Sequence, residues 1–159
     1  MSNELTRPAR LPPRWVVRLA WKAHRAIYRV TRGHVGLWSS KPNRWGAARL
    51  TTIGRRSGEE RSVILGYVRD GPNLVTLAMN GWAESEPAWW LNLRANPEAT
   101  VELASGRQRV RGRAASGEER DRLWAQWQEL DTNLDAYAAR RPGETAVVIL
   151  EPTSDSAGN

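Results

Sequence analysis

The chain has 159 residues, with 24 lysines and arginines against 17 acidic residues, two histidines and no cysteine. This length predicts one domain with a single hydrophobic core. The lack of cysteine excludes a disulfide, a thiolate nucleophile and a cysteine-bound metal. Because His24 and His34 both lie in the N-terminal segment, a Ser–His–Asp triad in the main domain is excluded as well.

The positive charge is concentrated near the N-terminus. Residues 1–49 carry a net charge of +10, whereas residues 50–159 carry −3. A nucleic-acid-binding domain would carry basic residues on its own face, so nucleic acid is not an expected partner. No apolar run approaches the roughly 20 residues that span a bilayer, and the N-terminus lacks an apolar segment like that of a secretory signal. A cytoplasmic protein is the default expectation.

A basic amphipathic helix is predicted over residues 14–32, within an N-terminal segment comprising residues 1–35. On a helical wheel its basic side chains fall within an arc of about 80°, opposite a wider apolar face. The basic arc comprises Arg14, Arg18, Lys22, Arg25, Arg29 and Arg32, and the apolar face comprises Trp15, Val16, Leu19, Ala23, Ala26, Ile27 and Val30. Such a helix can lie on a membrane, which would place the protein at the inner face of the cell membrane. Packing on its own domain is equally favoured, and polyanion binding is favoured less.

A glycine- and arginine-rich turn follows a short β-type run that ends at Ile53. Residues 54–61 carry three arginines, one serine and two glycines. Gly54 and Gly58 can adopt backbone angles that let successive N–H groups converge on an anion. Arginine adds paired donors that match phosphate or carboxylate oxygens. From the residues alone, a solvated hairpin turn with surface arginines is an equal alternative.

The main domain is predicted to be a mainly β, α+β fold. Short strands are predicted at 48–53, 61–69, 73–79, 98–104, 107–114 and 145–150, with turns at 70–73 and 105–106. Helices are predicted at 87–97, at 116–131 behind a capping box from Ser116 to Glu119, and at 133–140. Since the strands do not alternate with helices, a doubly wound sheet is not expected. We therefore expect a small barrel of five to six strands over residues 36–152, followed by a disordered tail at 153–159.

Four segments resemble the deazaflavin-dependent nitroreductase family. They are LTTIGRRSGEERSV, YVRDGPNLVTLAMNG, EPAWWLNLRANPEATVEL and VVILEP, and they occur in the family's order with compatible spacing over about residues 48–152. The resemblance implies a split β-barrel similar to those of flavin reductases and FMN-binding proteins. It also implies coenzyme F-420, an 8-hydroxy-5-deazaflavin, as the cofactor. FMN, which related split barrels bind, is the less favoured alternative.

The resemblance also implies which residues contact the cofactor. Arg56, Ser57 and Arg61 match the family's phosphate-binding turn, a strand runs beside the ring, a loop lines its other side, and a helix start closes the pocket. The full set is Arg55, Arg56, Ser57, Arg61, Ser62, Val63, Ile64, Leu65, Ala78, Met79, Asn80, Ala88, Trp89 and Trp90. Because adjacent helical residues point about 100° apart, at most one of Trp89 and Trp90 is expected to face the cofactor. Asn92 is expected to cap a helix or brace a loop.

The implied reaction is hydride transfer from reduced F-420 to a hydrophobic acceptor such as a quinone or nitro compound. Tyr137 is the candidate proton donor or acceptor contact. Asp131 and Leu134 stand where aromatic residues are expected, and Trp82 replaces a small residue, so the cofactor half matches better than the acceptor half. The alternatives are a non-catalytic F-420 or FMN carrier and a membrane-associated lipid-binding barrel. A dimer is one option for the oligomeric state.

Overall fold

The computed structural model describes residues 13–19 and 36–154. Within these residues, six antiparallel strands close into one barrel. The strands are β1 (Gly46–Ile53), β2 (Glu60–Asp70), β3 (Asn73–Leu77), β4 (Glu98–Leu103), β5 (Gly106–Ala114) and β6 (Val147–Pro152). Their order around the barrel is β1-β2-β3-β6-β5-β4, and the pairing of β1 with β4 closes it.

Helices lie before and between the strands. Residues 14–19 are helical and are called α1. β3 is followed by a 3₁₀ turn (Asn80–Trp82) and by α2 (Ala88–Ala95), and β5 is followed by α3 (Gly117–Leu130) and α4 (Leu134–Ala138). Over the described part of the chain, no helix has the length and apolar character that crossing a bilayer requires.

The barrel confirms the predicted fold class. β3 ends at Leu77, two residues before its predicted end, because the chain leaves the ladder for the Asn80–Trp82 turn. β6 extends beyond its predicted end to Pro152, which is in register with Val110 of β5. The predicted helix beyond residue 19 and the tail beyond residue 154 fall outside the described residues. The division at residue 35 stays a prediction.

The apolar side chains form two clusters, because successive residues of a strand point to opposite faces. On β3, Leu74 belongs to one cluster and Val75 to the other. The first cluster draws residues from all six strands and from α2, including Trp89, Trp90 and Leu93. It is therefore the barrel interior, and α2 packs against it. The second cluster lies between the barrel wall and the helices α3 and α4.

The predicted capping box at the start of α3 is wrong. Ser116 is the N-cap residue, but its side chain makes no capping hydrogen bond. Gly117 takes a left-handed conformation with φ +57°, and the carboxylate of Glu119 binds Arg113 of β5, with Oε1 2.6 Å from Nη1. This hydrogen bond to Arg113 lowers the pKa of Glu119. The ion pair therefore takes the carboxylate that the capping box would have needed.

Candidate functional site

The basic turn between β1 and β2 is closed by its own backbone. Gly54 N–H donates to Glu59 O at 2.8 Å, and Gly58 N–H donates to Gly54 O at 2.8 Å. Glu59 N–H donates to the Ser57 hydroxyl oxygen at 3.2 Å. Only Gly58 has a positive φ, +70°. Gly54 is needed for space instead, because a Cβ there would lie 2.7 Å from Ser57 Oγ.

These hydrogen bonds do not fit the predicted nest, in which the amides of this turn converge on an anion. The N–H groups of Gly54, Gly58 and Glu59 are directed to protein acceptors, and so is that of Arg55, which donates to Asn92 Oδ1 at 3.1 Å. Four amides of the turn are thus already paired and do not converge on a ligand. Among the described residues these hydrogen bonds give no acceptor to the N–H groups of Arg56 and Ser57, so an anion at this turn would be held by side chains and by at most these two amides.

Asn92 joins the basic turn to α2. This side chain is 4% exposed. Its Oδ1 accepts the Arg55 N–H, and its Nδ2 donates to Thr52 Oγ1 at 3.1 Å. One of its two expected roles, bracing a loop, is thereby confirmed. A buried amide that is paired on both sides fixes the spacing between the turn and the helix.

The arginine side chains of the turn face solvent. Arg55, Arg56 and Arg61 are all exposed. Arg61 Nη2 lies 3.1 Å from Glu59 Oε2, in a pair whose two side chains are more than half exposed. Among the described residues, Arg56 has no carboxylate within ion-pair distance. A surface pair of this kind contributes little, so both guanidiniums are accessible to an external anion.

β2 continues from the turn and divides its side chains between two faces. Val63 and Leu65 are partly buried and pack against the barrel cluster. Ile64 is buried, at 6% exposure, whereas Ser62 is exposed, with its Oγ 2.8 Å from Thr51 Oγ1. The backbone of residues 62–65 is paired with β1 along one edge, and the register of β2 with β3 covers residues 68–70, so the second edge of residues 62–65 is the one that could face a ligand.

α2 begins beside the loop that follows β3. Ala88 is exposed at the first turn, with Pro87 as the N-cap residue. Trp89 and Trp90 are 8% and 7% exposed and both belong to the barrel cluster. One of these two tryptophans was expected to be a core residue, and both of them are. Gly112 of β5 makes room for the helix, since a Cβ there would lie 2.9 Å from Leu93 Cδ1.

The loop from Ala78 to Pro87 contains the other predicted contacts. Ala78 is fully buried, Met79 is partly buried against the second cluster and Asn80 is exposed. Asn80 Nδ2 donates to Ser85 O at 3.1 Å and lies 3.0 Å from Ser85 Oγ, which ties the loop to itself. The loop therefore connects the end of β3 to the start of α2 along one rim of the barrel.

Tyr137 on α4 stands beside this loop. Its ring lies 5.9 Å from that of Trp82, and the side chain is half-buried. Asp131 and Leu134, the two nearby positions where aromatic residues were expected, have other roles. Leu134 is a core residue at 2% exposure, and Asp131 follows α3, where its Oδ1 accepts the Asn133 N–H. Trp82 of the loop thus supplies a second aromatic ring beside Tyr137.

Two residues that the sequence did not single out belong to this region. Arg141 is buried and donates hydrogen bonds to the carbonyls of Ala78, Ala83 and Ser85. Glu86 has one carboxylate oxygen, Oε2, that is buried with no hydrogen-bond partner among the described residues. Neither had a local signal, because a buried arginine and a surface arginine look alike in a sequence.

A separate surface cavity of about 140 Å³ lies near the ends of β1 and β4. It contains none of the predicted contact residues, and its lining includes the carboxylates of Glu60 and Glu98. It is smaller than the roughly 300 Å³ at which small-molecule pockets begin, and its charged lining combines Glu60 and Glu98 with Arg109. The predicted contacts instead lie along the basic turn, α2 and the loop after β3.

Residues 20–152 match the family model for F420H(2)-dependent quinone reductase. The chain belongs to this family. An F420H(2)-dependent quinone reductase of Mycobacterium tuberculosis is 30% identical over 132 residues, covering 81% of this chain and 87% of that protein. The match includes the basic turn, β2, the loop after β3 and α2.

Solved structures agree on the fold. An F420-H2 dependent reductase is 27% identical and has a TM-score of 0.60, covering 66% of this chain and 93% of that one. A domain-swapped dimer is 24% identical and has a TM-score of 0.62, covering 84% of this chain and 99% of that one. The second likeness extends the agreement in fold over most of the chain.

Proposed function

We propose that this protein is an oxidoreductase that transfers a hydride from reduced coenzyme F-420 to a hydrophobic acceptor such as a quinone. The observation that carries the proposal is the Asn92 bridge, which ties an exposed arginine turn to α2 in a chain of the F420H(2)-dependent quinone reductase family. The alternative of a binding protein without turnover has no feature of its own in its favour.

The donors of the site suit the cofactor. The exposed guanidiniums of Arg55, Arg56 and Arg61 match the phosphate and carboxylate groups of its tail. Ser57 accepts the Glu59 N–H and keeps its own hydroxyl proton for a ligand.

The rest of the chain would orient the ring and exclude water. When bound, a reduced deazaflavin supplies a hydride from C5 of its ring. The backbone of residues 62–65 would run along one side, with Ala78, Met79 and Asn80 on the other. Ala88 would contact the ring at the helix start, and Trp89 and Trp90 would support it from the core. Such positioning is the main contribution that a protein makes to cofactor chemistry.

Tyr137 and Trp82 would line the acceptor side. Their rings lie 5.9 Å apart and are tilted by 36°, and together they give an aromatic surface for a planar acceptor. Reduction of a quinone needs a proton as well as a hydride, and the Tyr137 hydroxyl is the donor we propose. The family is F420H(2)-dependent, which favours F-420 over FMN as the cofactor.

The proposal is tested by titrating the purified chain with F-420 and with FMN while following fluorescence. We expect F-420 to bind with micromolar or tighter affinity and FMN to bind more weakly. Oxidation of reduced F-420 in the presence of menadione then distinguishes a reductase from a carrier. Tighter binding of FMN, or no binding of F-420, would overturn the cofactor assignment, and binding without turnover would overturn the reaction.

We also propose that α1 contacts anionic membranes. Trp15 and Leu19 are 68% and 60% exposed and lie on one face, since they are four residues apart in a helix. A methyl group added at Gly81 would lie 4.0 Å from Val17 Cγ1, so the helix faces the acceptor-side loop with another residue. Apolar side chains flanked by Arg14 and Arg18 suit an interfacial helix. The predicted location at the inner face of the membrane depends on this contact.

Cosedimentation with anionic liposomes tests the membrane contact. We expect the double variant Trp15→Ser and Leu19→Ser to lose most of its binding, because these side chains supply the apolar contact. Trp45→Ser, at another exposed tryptophan, is the matched control and should bind as the unaltered chain does. Equal sedimentation of the double variant would contradict the proposal, and unchanged F-420 affinity shows that each variant is folded.

A further inference from the structure

The loop after β3 contains three consecutive residues in the left-handed region. Asn80, Gly81 and Trp82 have φ values of +46°, +60° and +62°. Glycine adopts this conformation freely and asparagine tolerates it, but a bulky aromatic residue does so only when its surroundings enforce it. Two backbone hydrogen bonds close the turn, from Trp82 N–H to Met79 O at 2.7 Å and from Ala83 N–H to Asn80 O at 3.2 Å.

The surroundings that enforce this turn include a buried guanidinium. Arg141 is 8% exposed. Its Nη1 donates to Ala78 O at 2.7 Å and to Thr145 Oγ1 at 3.0 Å, its Nε donates to Ala83 O at 2.9 Å, and its Nη2 donates to Ser85 O at 3.3 Å. The three carbonyls bracket the left-handed turn on both sides. The loop is therefore wrapped around one side chain.

No carboxylate among the described residues lies within ion-pair distance of Arg141. Its charge is balanced by carbonyl dipoles and by the Thr145 hydroxyl. Arginine suits this role because its donors are arranged in a rigid planar fork. Replacing it would leave inward-facing carbonyls without a donor, which a folded protein tolerates poorly.

Arg141 also connects the loop to α4. Its own N–H donates to Ala138 O at 3.1 Å, which places it directly after the helix that carries Tyr137. The loop carries Trp82, whose ring lies beside that of Tyr137. One guanidinium thus fixes the distance between the two aromatic side chains of the acceptor side.

We propose that Arg141 is the positioning residue of the acceptor side, holding the left-handed turn so that the Trp82 ring stays beside that of Tyr137. Trp82 is then the side chain that selects the acceptor, and it favours planar, apolar molecules. The assignment of this face to the acceptor rests on the proposed function. The effect of Arg141 on the shape of the loop does not depend on the proposed function.

The first arm of the test uses hydrogen exchange on the full chain without cofactor. Arg141→Met should raise exchange of the amides of residues 79–86 at least about tenfold, because local opening no longer breaks the guanidinium contacts. Arg141→Lys, with fewer donors, should give an intermediate value. Arg120→Met is the matched control, since Arg120 Nη1 donates to Thr145 O at 2.8 Å but makes no bond to the loop. Loop exchange equal to that of the unaltered chain in both Arg141 variants would overturn the proposal.

The second arm uses steady-state kinetics with reduced F-420 and menadione. Trp82→Leu and Arg141→Met should each raise the KM for menadione at least about fivefold, with a smaller change in kcat, and the double variant should resemble the single ones because both act on the same side chain. Additive effects would overturn the link to Trp82. If Arg141→Met does not fold, Arg141→Lys takes its place in both arms. Failure of the unaltered chain to bind F-420 would overturn the proposed function alone, since the exchange arm does not depend on it.

Discussion

Arg56 and Arg141 lie on the two sides of the proposed site, in opposite surroundings. Arg56 is exposed on a turn of the barrel, and among the described residues no carboxylate pairs with it. Arg141 is buried, and its hydrogen bonds go to the protein's own carbonyls and to one hydroxyl. The same side chain is therefore available to a ligand in one place and committed to the backbone in the other.

The contrast separates two tasks in the proposed site, which are ligand binding by exposed arginines and positioning of a loop by a buried arginine. The turn is held by its own backbone and by two neutral side chains, Ser57 and Asn92, which leaves its arginines accessible for an anionic group. The loop is held by a charged side chain that a ligand cannot reach without unfolding it. A charged group binds a ligand when it is exposed, whereas a buried one with several acceptors fixes backbone shape.

The largest expected effect comes from removing the exposed arginines. Arg56→Ala with Arg61→Ala should weaken F-420 binding about 100-fold or more, since each charge-assisted hydrogen bond contributes roughly 1.5–3 kcal/mol. Fluorescence titration measures the change. The free energy of unfolding should stay nearly the same, because both side chains are exposed.

Arg107→Ala provides the control for this double variant. Arg107 is also exposed, but it lies at the β4–β5 hairpin, away from the turn. It should leave F-420 affinity unchanged. If the double variant bound F-420 as tightly as this control, the turn would not hold the cofactor tail. Arg56 would then not be a ligand-binding counterpart to Arg141.

A smaller effect is expected from Asn92→Leu, which removes the link between the turn and α2. The Arg55 N–H and Thr52 Oγ1 would lose their partner, which costs about 1–3 kcal/mol of folding free energy for a buried polar group. F-420 affinity should fall several-fold because the turn is less well positioned, although every arginine remains. Urea unfolding and fluorescence titration measure the two changes.

Asn92→Asp sharpens the same test. The carboxylate keeps an acceptor for the Arg55 N–H but loses the amide donor to Thr52. Because it also buries a charge at a position that is 4% exposed, stability should fall at least as far as in Asn92→Leu, and the added negative charge should further weaken binding of an anionic tail. Full stability and full affinity in Asn92→Leu would mean that the turn keeps its shape without the bridge.

Much of the fold follows from local pattern. Alternating apolar residues and turn residues such as Gly71 and Gly106 predicted six strands, and both glycines have the positive φ expected of turns. The capping box failed for a tertiary reason. Glu119 has the right spacing from Ser116, but Arg113 lies on a neighbouring strand, and the charged pair takes the carboxylate.

The sequence predicted the surroundings of the proposed site residues unevenly, for a similar reason. The chemistry of the basic turn is local, so its arginines and glycines could be recognised in one stretch of sequence. The burial of both Trp89 and Trp90 depends on how α2 packs against the barrel. Arg141 is 63 residues away from Ala78, whose carbonyl it binds, and no spacing rule joins two such positions.

The sequence by itself determined the barrel, the basic turn and the resemblance that points to a deazaflavin, because strand alternation, turn residues and short motifs depend on neighbouring positions. Tertiary structure decided which polar groups remain for a ligand. It paired four amides of the turn with protein acceptors, joined the turn to α2 through Asn92 and buried Arg141 beneath the loop. The reason is physical: a donor is available to a ligand only when folding brings no closer acceptor to it.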